Sequence, residues 1–338
     1  MQPLSVLEIC AGAGGQALGV HHAGFEIAAA VEIEPSMCAT LRSNKPQWKV
    51  LEDDIRNVDG KQFRGIGLLA GGVPCPPFSI AGKQLGPDDE RDLFPEALRL
   101  IEESRPEAVM LENVRGFASE RFASYREKLF IKLRSLGYSV ESGVLNASSF
   151  GVPQLRPRFV LAAVKERFAE SFLWPEPART QPLTVGDAIG DLMAARGWSG
   201  AAAWREKARG IAPTIVGGSK KHGGPDLGPT RAKREWKKLG VDGHGIADEP
   251  PGADAPFDLV PRLTVPMVAR LQGFPGEWRF SGGKTSSYRQ VGNAFPPPVA
   301  YAVAKEIFKA LAGEEKQEEL APFVRSSERR PALGSSAT

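Results

Sequence analysis

Five short apolar runs of β-type recur within the first 165 residues, separated by stretches of helical period: VLEIC (6–10), IAAAVE (27–32), GLLAGG (67–72), AVMLE (108–112) and RFVLAAV (158–164). The runs are apolar throughout instead of alternating, so both their faces must be buried. A mostly parallel sheet covered by helices on both sides satisfies that demand, and an α/β fold is predicted. From about residue 172 the texture changes. Pro175, Pro177 and Pro182 lead into Gly/Pro-rich loops with scattered basic residues up to about residue 260, the mark of a second domain or a large insertion. Periodicity returns in PPPVAYAVAKEIFKALAG, where Val299, Val303, Ile307 and Leu311 lie four apart between leading prolines and Gly313, which predicts an amphipathic helix. The remainder, GEEKQEELAPFVRSSERRPALGSSAT, is too poor in apolar residues to pack and is expected to fray. At 338 residues the chain can hold one large core and a smaller unit.

Three cysteines, Cys10, Cys38 and Cys75, form neither a disulfide framework nor a metal-binding spacing, which fits a reducing compartment. The start MQPLSVLEIC lacks a basic segment followed by an apolar run, and no stretch approaches membrane-spanning length, so a cytoplasmic protein with no membrane association is expected. A net charge of +3 names no partner by itself. His21, His22, His222 and His244 are scattered, and no metal is expected.

Between the first two strands, VLEICAGAGGQALGVHHAGF places a glycine-rich turn before a helix, with Gly12, Gly14 and Ala17 matching G-x-G-x-x-A. Glu32 follows Gly12 by 20 residues, at the end of the next strand, where an acid can accept from ribose hydroxyls. A nucleoside-containing cofactor is implied, its identity left open. Asp53, Asp54 and Ile55 sit where a third βα loop begins, and for the two aspartates taken alone a helix cap or solvated turn is the better reading.

GGVPCPPFS follows the predicted strand at 67–72. Prolines at 74 and 76 hold Val73 and Cys75 extended, and Gly71 and Gly72 clear side chains from the approach, so one thiol is fixed at the carboxyl end of a buried strand. One βα unit later, Glu112 and Asn113 end AVMLEN at the same edge. A carboxyl group there is a candidate for a raised pKa and for sharing a proton with a bound base, although a helix cap or an arginine partner also accounts for it. In QLRPRF, Arg156 and Arg158 alternate and point to one side, able to bind a carbonyl or phosphate oxygen or to hold a neighbouring carboxylate.

These residues resemble the DNA cytosine-5 methyltransferases, bacterial modification type, over roughly residues 4 to 312: VLEICAGAGG, VEIEP, DDI, GGVPCPPFS, LENV, QLRPR, RLTVPMVARLQGFP and YRQVGNAFPPPVA fall in the family's order. The resemblance implies a Rossmann-like S-adenosylmethionine-dependent sheet with a smaller, loop-rich target-recognition domain. It implies a catalytic and cofactor domain over 1–171, target recognition over 172–280, a returning segment over 281–312 and a flexible tail over 313–338. Cys75 takes the role of the nucleophile toward carbon 6 of a flipped cytosine, Glu112 that of the group at ring nitrogen 3 and the exocyclic amine. Arg158 lies near the base carbonyl and Arg156 beside the cysteine. S-adenosyl-L-methionine is implied as cofactor, with Glu32 on the ribose, Asp54 and Ile55 near the adenine, and Gly12, Pro74 and Asn293 on the methionine side; Cys10 and Gly14 complete the expected cofactor set. Cys10 stands where the family usually has an aromatic ring, and Met267 where it usually has an acid.

Residues 201–240 carry ten Lys and Arg against Glu206, Asp226 and Glu235. Alone, such a run reads as a solvated face; its position between the two halves of the family pattern makes it the expected duplex DNA surface, with Lys220, Lys221, Arg231, Lys233 and Arg234 as contacts. Trp198, Trp204 and Trp236 are expected in a small-domain core. A monomer is expected, and the resemblance leaves room for a separately encoded cognate restriction endonuclease. Two rival readings stand beside it: a tRNA cytosine-5 methyltransferase, whose Cys-Phe-Thr element is absent, and a nicotinamide-dependent oxidoreductase, which leaves Cys75, Glu112 and QLRPR without a role. A DNA-binding relative without catalysis would not need the nucleophile and acid positions.

Overall fold

The computed structural model describes residues 4–74, 92–178, 183–218 and 224–313. In chain order the strands are β1 (Ser5–Ile9), β2 (Glu26–Glu32), β3 (Val50–Glu52), β4 (Leu68–Gly72), β5 (Ala108–Val114), β6 (Tyr138–Asn146) and β7 (Pro157–Lys165). The α-helices are α1 (Gly15–His22), α2 (Pro35–Asn44), α3 (Phe94–Ser104), α4 (Ala123–Ser135), α5 (Val185–Ala194), α6 (Ala201–Lys207), α7 (Thr230–Lys238), α8 (Val265–Leu271), α9 (Lys284–Asn293) and α10 (Pro297–Ala312). All seven strands join one sheet in the order β3-β2-β1-β4-β5-β7-β6. Pairing is parallel from β3 to β5, while β7 runs antiparallel to both β5 and β6. Strand order reverses direction at β1 and β4, and the crevice beyond their carboxyl ends is where open α/β sheets hold ligands.

The five apolar runs correspond to β1, β2, β4, β5 and β7. The two other strands escaped the apolar signal for physical reasons. β3 is three residues long, and β6 is an edge strand, YSVESGVLN, with Glu141, Ser142 and Val144 largely in solvent, so no continuous apolar run marks it.

Each sheet face has its own core. Leu7, Ile9, Leu69, Leu111 and Leu161 pack against Leu100 of α3 and Leu129 and Leu133 of α4. On the other face Val6, Leu68, Met110 and Val160 meet Val20 of α1 and Val299, Val303 and Ile307 of α10. Burying each of those three α10 side chains is worth about 1.5–3 kcal/mol. A charge at Val303 would therefore detach the helix that returns the chain to the sheet. α10 begins with proline in its first turn and ends before Gly313 at φ 71, as its sequence signals demand.

A third core centres on Trp198, Trp204, Trp236, Ile215, Leu263 and Val268 and continues without a break to Leu18, Leu41 and Trp48 beside the sheet. The indole N–H of Trp198 donates to Pro256 O at 2.9 Å and that of Trp204 to Gly240 O at 3.0 Å, so both rings are interior anchors. Met267 is fully buried at the third position of α8, where its Sδ accepts from Thr264 N at 3.4 Å. The thioether thus stands in the place of a capping-box acid and caps the helix without bringing a charge into the apolar junction.

Candidate active site

At the carboxyl ends of β1, β4 and β5 lies a cavity of about 80 Å³ whose wall includes Glu8, Cys10, Gly12, Gly72, Glu112 and Asn293. The turn leaving β1 passes through the left-handed region at Cys10 (φ 51), Gly12 (φ 56) and Gly14 (φ 86). A Cβ on Gly12 would meet nothing within 4 Å, so the space over its backbone is open to a ligand. Gly14 lies two residues on in the same turn. It does not line the cavity, and a Cβ there would lie 2.7 Å from Leu41 Cδ2 and 3.0 Å from Trp278, so its lack of a side chain serves the turn and the packing beneath it.

Glu32 is buried at the end of β2, where its Oε2 accepts from Gly12 N at 2.7 Å and its Oε1 from Glu34 N at 2.8 Å. Burial raises its pKa and these backbone donors oppose the rise. Both oxygens keep acceptor capacity for the hydroxyls of a ribose. Asp54 caps the short 3-10 turn after β3 through Arg56 N at 2.9 Å and pairs with the Arg56 guanidinium at 2.9 Å, while Ile55 is buried beneath. Arg99 of α3 braces this turn from below, donating to Ile55 O at 2.9 Å and Val58 O at 3.0 Å.

The second wall carries an acid and its arginine. Glu112 Oε1 lies 2.8 Å from Arg158 Nε, both side chains being 12% exposed, because antiparallel pairing sets the ends of β5 and β7 side by side. Burial pushes the Glu112 pKa up against the attraction of Arg158 and Arg156, and burial also lowers that of Arg158. The two directions agree: desolvation outweighs the mutual attraction, leaving a carboxylate that readily accepts a proton. A Cβ on Gly72 would stand 3.2 Å from Glu112 Oε2, so the glycine keeps room beside the acid. Asn113 Nδ2 donates to Val73 O at 2.8 Å and Leu93 N to Pro74 O at 3.3 Å, anchoring both ends of the loop that carries the thiol. Cys75 itself lies outside the described residues, as do Lys220, Lys221 and the residues of the tail beyond Gly313.

Arg156, expected beside the cysteine, is 1% exposed and spends its guanidinium on backbone: Nη1 donates to Ile215 O at 2.6 Å, Nη2 to Gly292 O at 2.8 Å and Ala294 O at 3.0 Å. Three chain segments meet on one cation. Gln154 extends the junction, accepting from Ile215 N at 2.9 Å and donating to Gln272 Oε1 at 2.6 Å. Nearby, a Cβ on Gly292 would fall 2.5 Å from Gly217 Cα, and one on Gly217 would fall 2.5 Å from Asn293 Oδ1. This glycine pair brings the segment before residue 219 directly against α9, where Asn293 Nδ2 donates to Gly218 O at 3.2 Å. Asn293 therefore touches both the cavity and the segment before residue 219.

On α7 the expected DNA contacts divide. Arg231 and Arg234 are exposed, whereas Lys233 Nζ is held by Asp226 at 2.8 Å and acts as a strut between the helix and the loop before it. Trp236 anchors the helix from its buried face.

Sequence reasoning passed over Glu8, Gln16 and Arg99. Glu8 was the findable one, a charged residue inside an otherwise apolar strand; Gln16 and Arg99 sit at ordinary helical positions and carry no local signal. Among the described residues no cluster of His, Cys, Asp or Glu could hold a metal, and no helix is long and apolar enough to cross a membrane.

Comparison with known proteins bears on this arrangement as a whole. The sequence profile "C-5 cytosine-specific DNA methylase" matches residues 4–309. The Type II methyltransferase M.NaeI of Lentzea aerocolonigenes is 58% identical over 315 residues, 92% of this chain and 76% of that protein. M.NgoMIV of Neisseria gonorrhoeae, also a Type II methyltransferase, is 53% identical over 311 residues, 91% of this chain and 98% of its own length. Among solved structures, an E. coli prophage-encoded protein described as a DNA modification methyltransferase superposes with a TM-score of 0.65 at 25% identity, over 92% of this chain and all of that one. S. pombe Dnmt2, at 21% identity and a TM-score of 0.62, shares the fold.

Proposed function

The chain belongs to the C-5 cytosine-specific DNA methylase family, and from that premise we propose that it moves a methyl group from S-adenosyl-L-methionine to carbon 5 of a cytosine flipped out of a specific duplex sequence. The observation that carries this reading is the Glu112–Arg158 pair, set beside Gly72 at the mouth of the glycine-rich cavity, three residues before Cys75 in the chain. The cavity fits the cofactor chemically: Glu32 offers a carboxylate to a ribose, Gly12 leaves its backbone open, and among the described residues no cation lines the wall against a sulfonium. When bound, the cofactor supplies an electrophilic methyl group.

The residues of the chain then divide the work. Cys75, as a thiolate, forms a bond to carbon 6 and converts the ring into an enamine nucleophilic at carbon 5. Glu112, whose burial favours its protonated form, hydrogen-bonds ring nitrogen 3 as electron density builds there and holds the exocyclic amine with its other oxygen. Arg158 orients Glu112 and presents its remaining N–H groups to the base carbonyl. After methylation, loss of the carbon 5 proton and departure of Cys75 restore the aromatic ring. Arg156 positions these groups by pinning the small lobe and the segment after α9 to the sheet. Flipping costs a few kcal/mol of unstacking, offset by contacts in the pocket.

Residues 172–280 serve target recognition in this scheme, with Arg231, Arg234, Lys220 and Lys221 on phosphate or base edges. The chain acts as a cytoplasmic monomer, beside a separately encoded endonuclease of the same specificity. The test is incubation with labelled S-adenosylmethionine and mixed duplex DNA, then mapping of methylcytosine at single-base resolution. Label at carbon 5 of cytosines in one recurring sequence is expected, lost in Cys75→Ala while DNA and cofactor still bind. Label in tRNA and not in DNA, or turnover retained by Cys75→Ala, would sink the proposal.

A further inference from the structure

Arginines that meet a carboxylate between residues 183 and 280 are held in two ways. Arg196, Arg205, Arg209 and Arg270 each spend a terminal Nη on the acid, which covers the end of the fork. Arg262 is held from the side. Its Nε donates to Asp242 Oδ2 at 2.8 Å, and among the described residues neither of its Nη atoms makes a hydrogen bond. The side chain is 51% exposed and its flank is clear, since a Cβ on Gly245 would crowd Arg262 Nη1 at 3.3 Å.

Asp242 is itself fixed. Its Oδ1 accepts from His244 N at 3.0 Å and lies 2.8 Å from His244 Nδ1, while its own N–H donates to Pro261 O at 2.9 Å. Together these contacts lock the loop after α7 to the segment that carries Arg262. Burial works against the charge of Asp242, yet hydrogen bonds from Arg262 and His244 hold its pKa down to about 2, so the brace is ionised at any working pH. A chain of contacts joins it to the reaction cavity: Asn293 donates to Gly218 O, Tyr288 Oη lies 3.1 Å from Val216 O and 2.5 Å from Asp226 O, and Leu227 N donates to Gly243 O at 3.0 Å. Asp242 and His244 then share a groove of about 670 Å³ with the exposed Arg234 and Lys237 of α7.

A phosphate can be met by a mobile cation, because charge attracts from any direction. A base edge demands a fork whose plane is set before contact, and guanine alone offers O6 and N7 to two parallel N–H donors. Building on the target-recognition reading above, we infer that Arg262 reads a guanine of the target duplex in the major groove through its two Nη atoms, and that Asp242 is the positioning residue that sets the plane of the fork. His244 braces the second oxygen of that carboxylate. Arg234 and Lys237, on the other wall of the groove, take the phosphates beside the same base.

Duplexes with the sequence that wild type methylates, carrying 7-deazaguanine at one guanine at a time in either strand, locate the contact without any mutation, because this analogue lacks the N7 acceptor. Replacement at the guanine that Arg262 reads should lower kcat/KM about tenfold in wild type and less than about twofold in Arg262→Lys, which keeps the charge without the fork. Arg262→Lys should also lose at least about tenfold of its discrimination against other bases at that one position, the rest of the sequence staying stringent. Asp242→Asn, which keeps the shape of the brace, should relax the same position, whereas Arg234→Ala should weaken all duplexes alike. Tolerance of 7-deazaguanine at every guanine overturns the base-reading role alone. So does equal loss on every sequence in Arg262→Lys and Asp242→Asn, or a salt slope lowered by about 0.9 in Arg262→Ala with every position still stringent, which would assign the fork to a phosphate. Wild type that methylates no duplex at all overturns the methyltransferase reading and the base-reading role together.

Discussion

Replacing Arg156 tests whether one buried cation couples the sheet to the core around Ile215 and to the segment after α9. Its three hydrogen bonds reach Ile215, Gly292 and Ala294, and each, involving a charged donor, contributes about 1.5–3 kcal/mol. Set against them is the desolvation of a guanidinium that touches carbonyls and no carboxylate, worth several kcal/mol and visible in a pKa lowered well below the usual arginine value by burial. Removing the side chain recovers that desolvation but orphans three carbonyls. The net loss expected for Arg156→Ala is about 3–5 kcal/mol. With a urea slope of about 3 kcal/mol/M, the unfolding midpoint should fall by roughly 1–1.7 M. Tryptophan fluorescence suits the measurement, because Trp198, Trp204 and Trp236, half of the six tryptophans, share one core with Ile215, whose carbonyl Arg156 holds. Arg156→Met keeps the stem without the donors and should lose most of the same stability. Were Arg156→Met to unfold within about 1 kcal/mol of wild type, the carbonyls would have found other partners and the coupling argument would fail.

Other consequences are equally measurable. Arg234→Ala should reduce the slope of log binding constant against log salt for duplex DNA by about 0.9, whereas Lys233→Ala should leave the slope almost unchanged, since Asp226 already holds that ammonium; equal changes in the two variants would contradict the strut assignment. Gly217→Ala forces a Cβ to within 2.5 Å of Asn293 Oδ1 and 2.6 Å of Arg289 O, an overpacking of about 1–3 kcal/mol. It should weaken DNA binding at least about tenfold and, by displacing Asn293 from the cavity wall, weaken cofactor binding as well; unaltered affinity for both would show that the segment can shift freely. Glu8 makes a stability prediction that needs no ligand. Its folded pKa of about 8 lies above the unfolded value, so the stability of the neutral form is complete below about pH 4.5 and is lost as pH rises toward 8. Between pH 5 and pH 9 wild type should therefore lose about 4 kcal/mol relative to Glu8→Gln. Parallel pH profiles in urea unfolding would refute it.

Local pattern carried a great deal of this protein. Apolar runs without alternation required a sheet covered on both faces, prolines and Gly313 framed α10, and chain order alone put Glu32, Glu112 and Arg158 at strand ends that a parallel sheet gathers at one edge. Such features were legible because burial on both faces, turn geometry and helix boundaries are imposed by neighbouring residues. What a polar side chain does once buried depends on groups far away in sequence. Arg156 also staples Ile215 and Gly292, Lys233 is bound by Asp226, and Gly14 leaves space for Leu41 and Trp278, roles that no local pattern announces. Glu8 is the clearest case. Its sequence shows a charge in a strand, but only the packing of α1 and α9 over that strand buries the carboxyl group and raises its pKa.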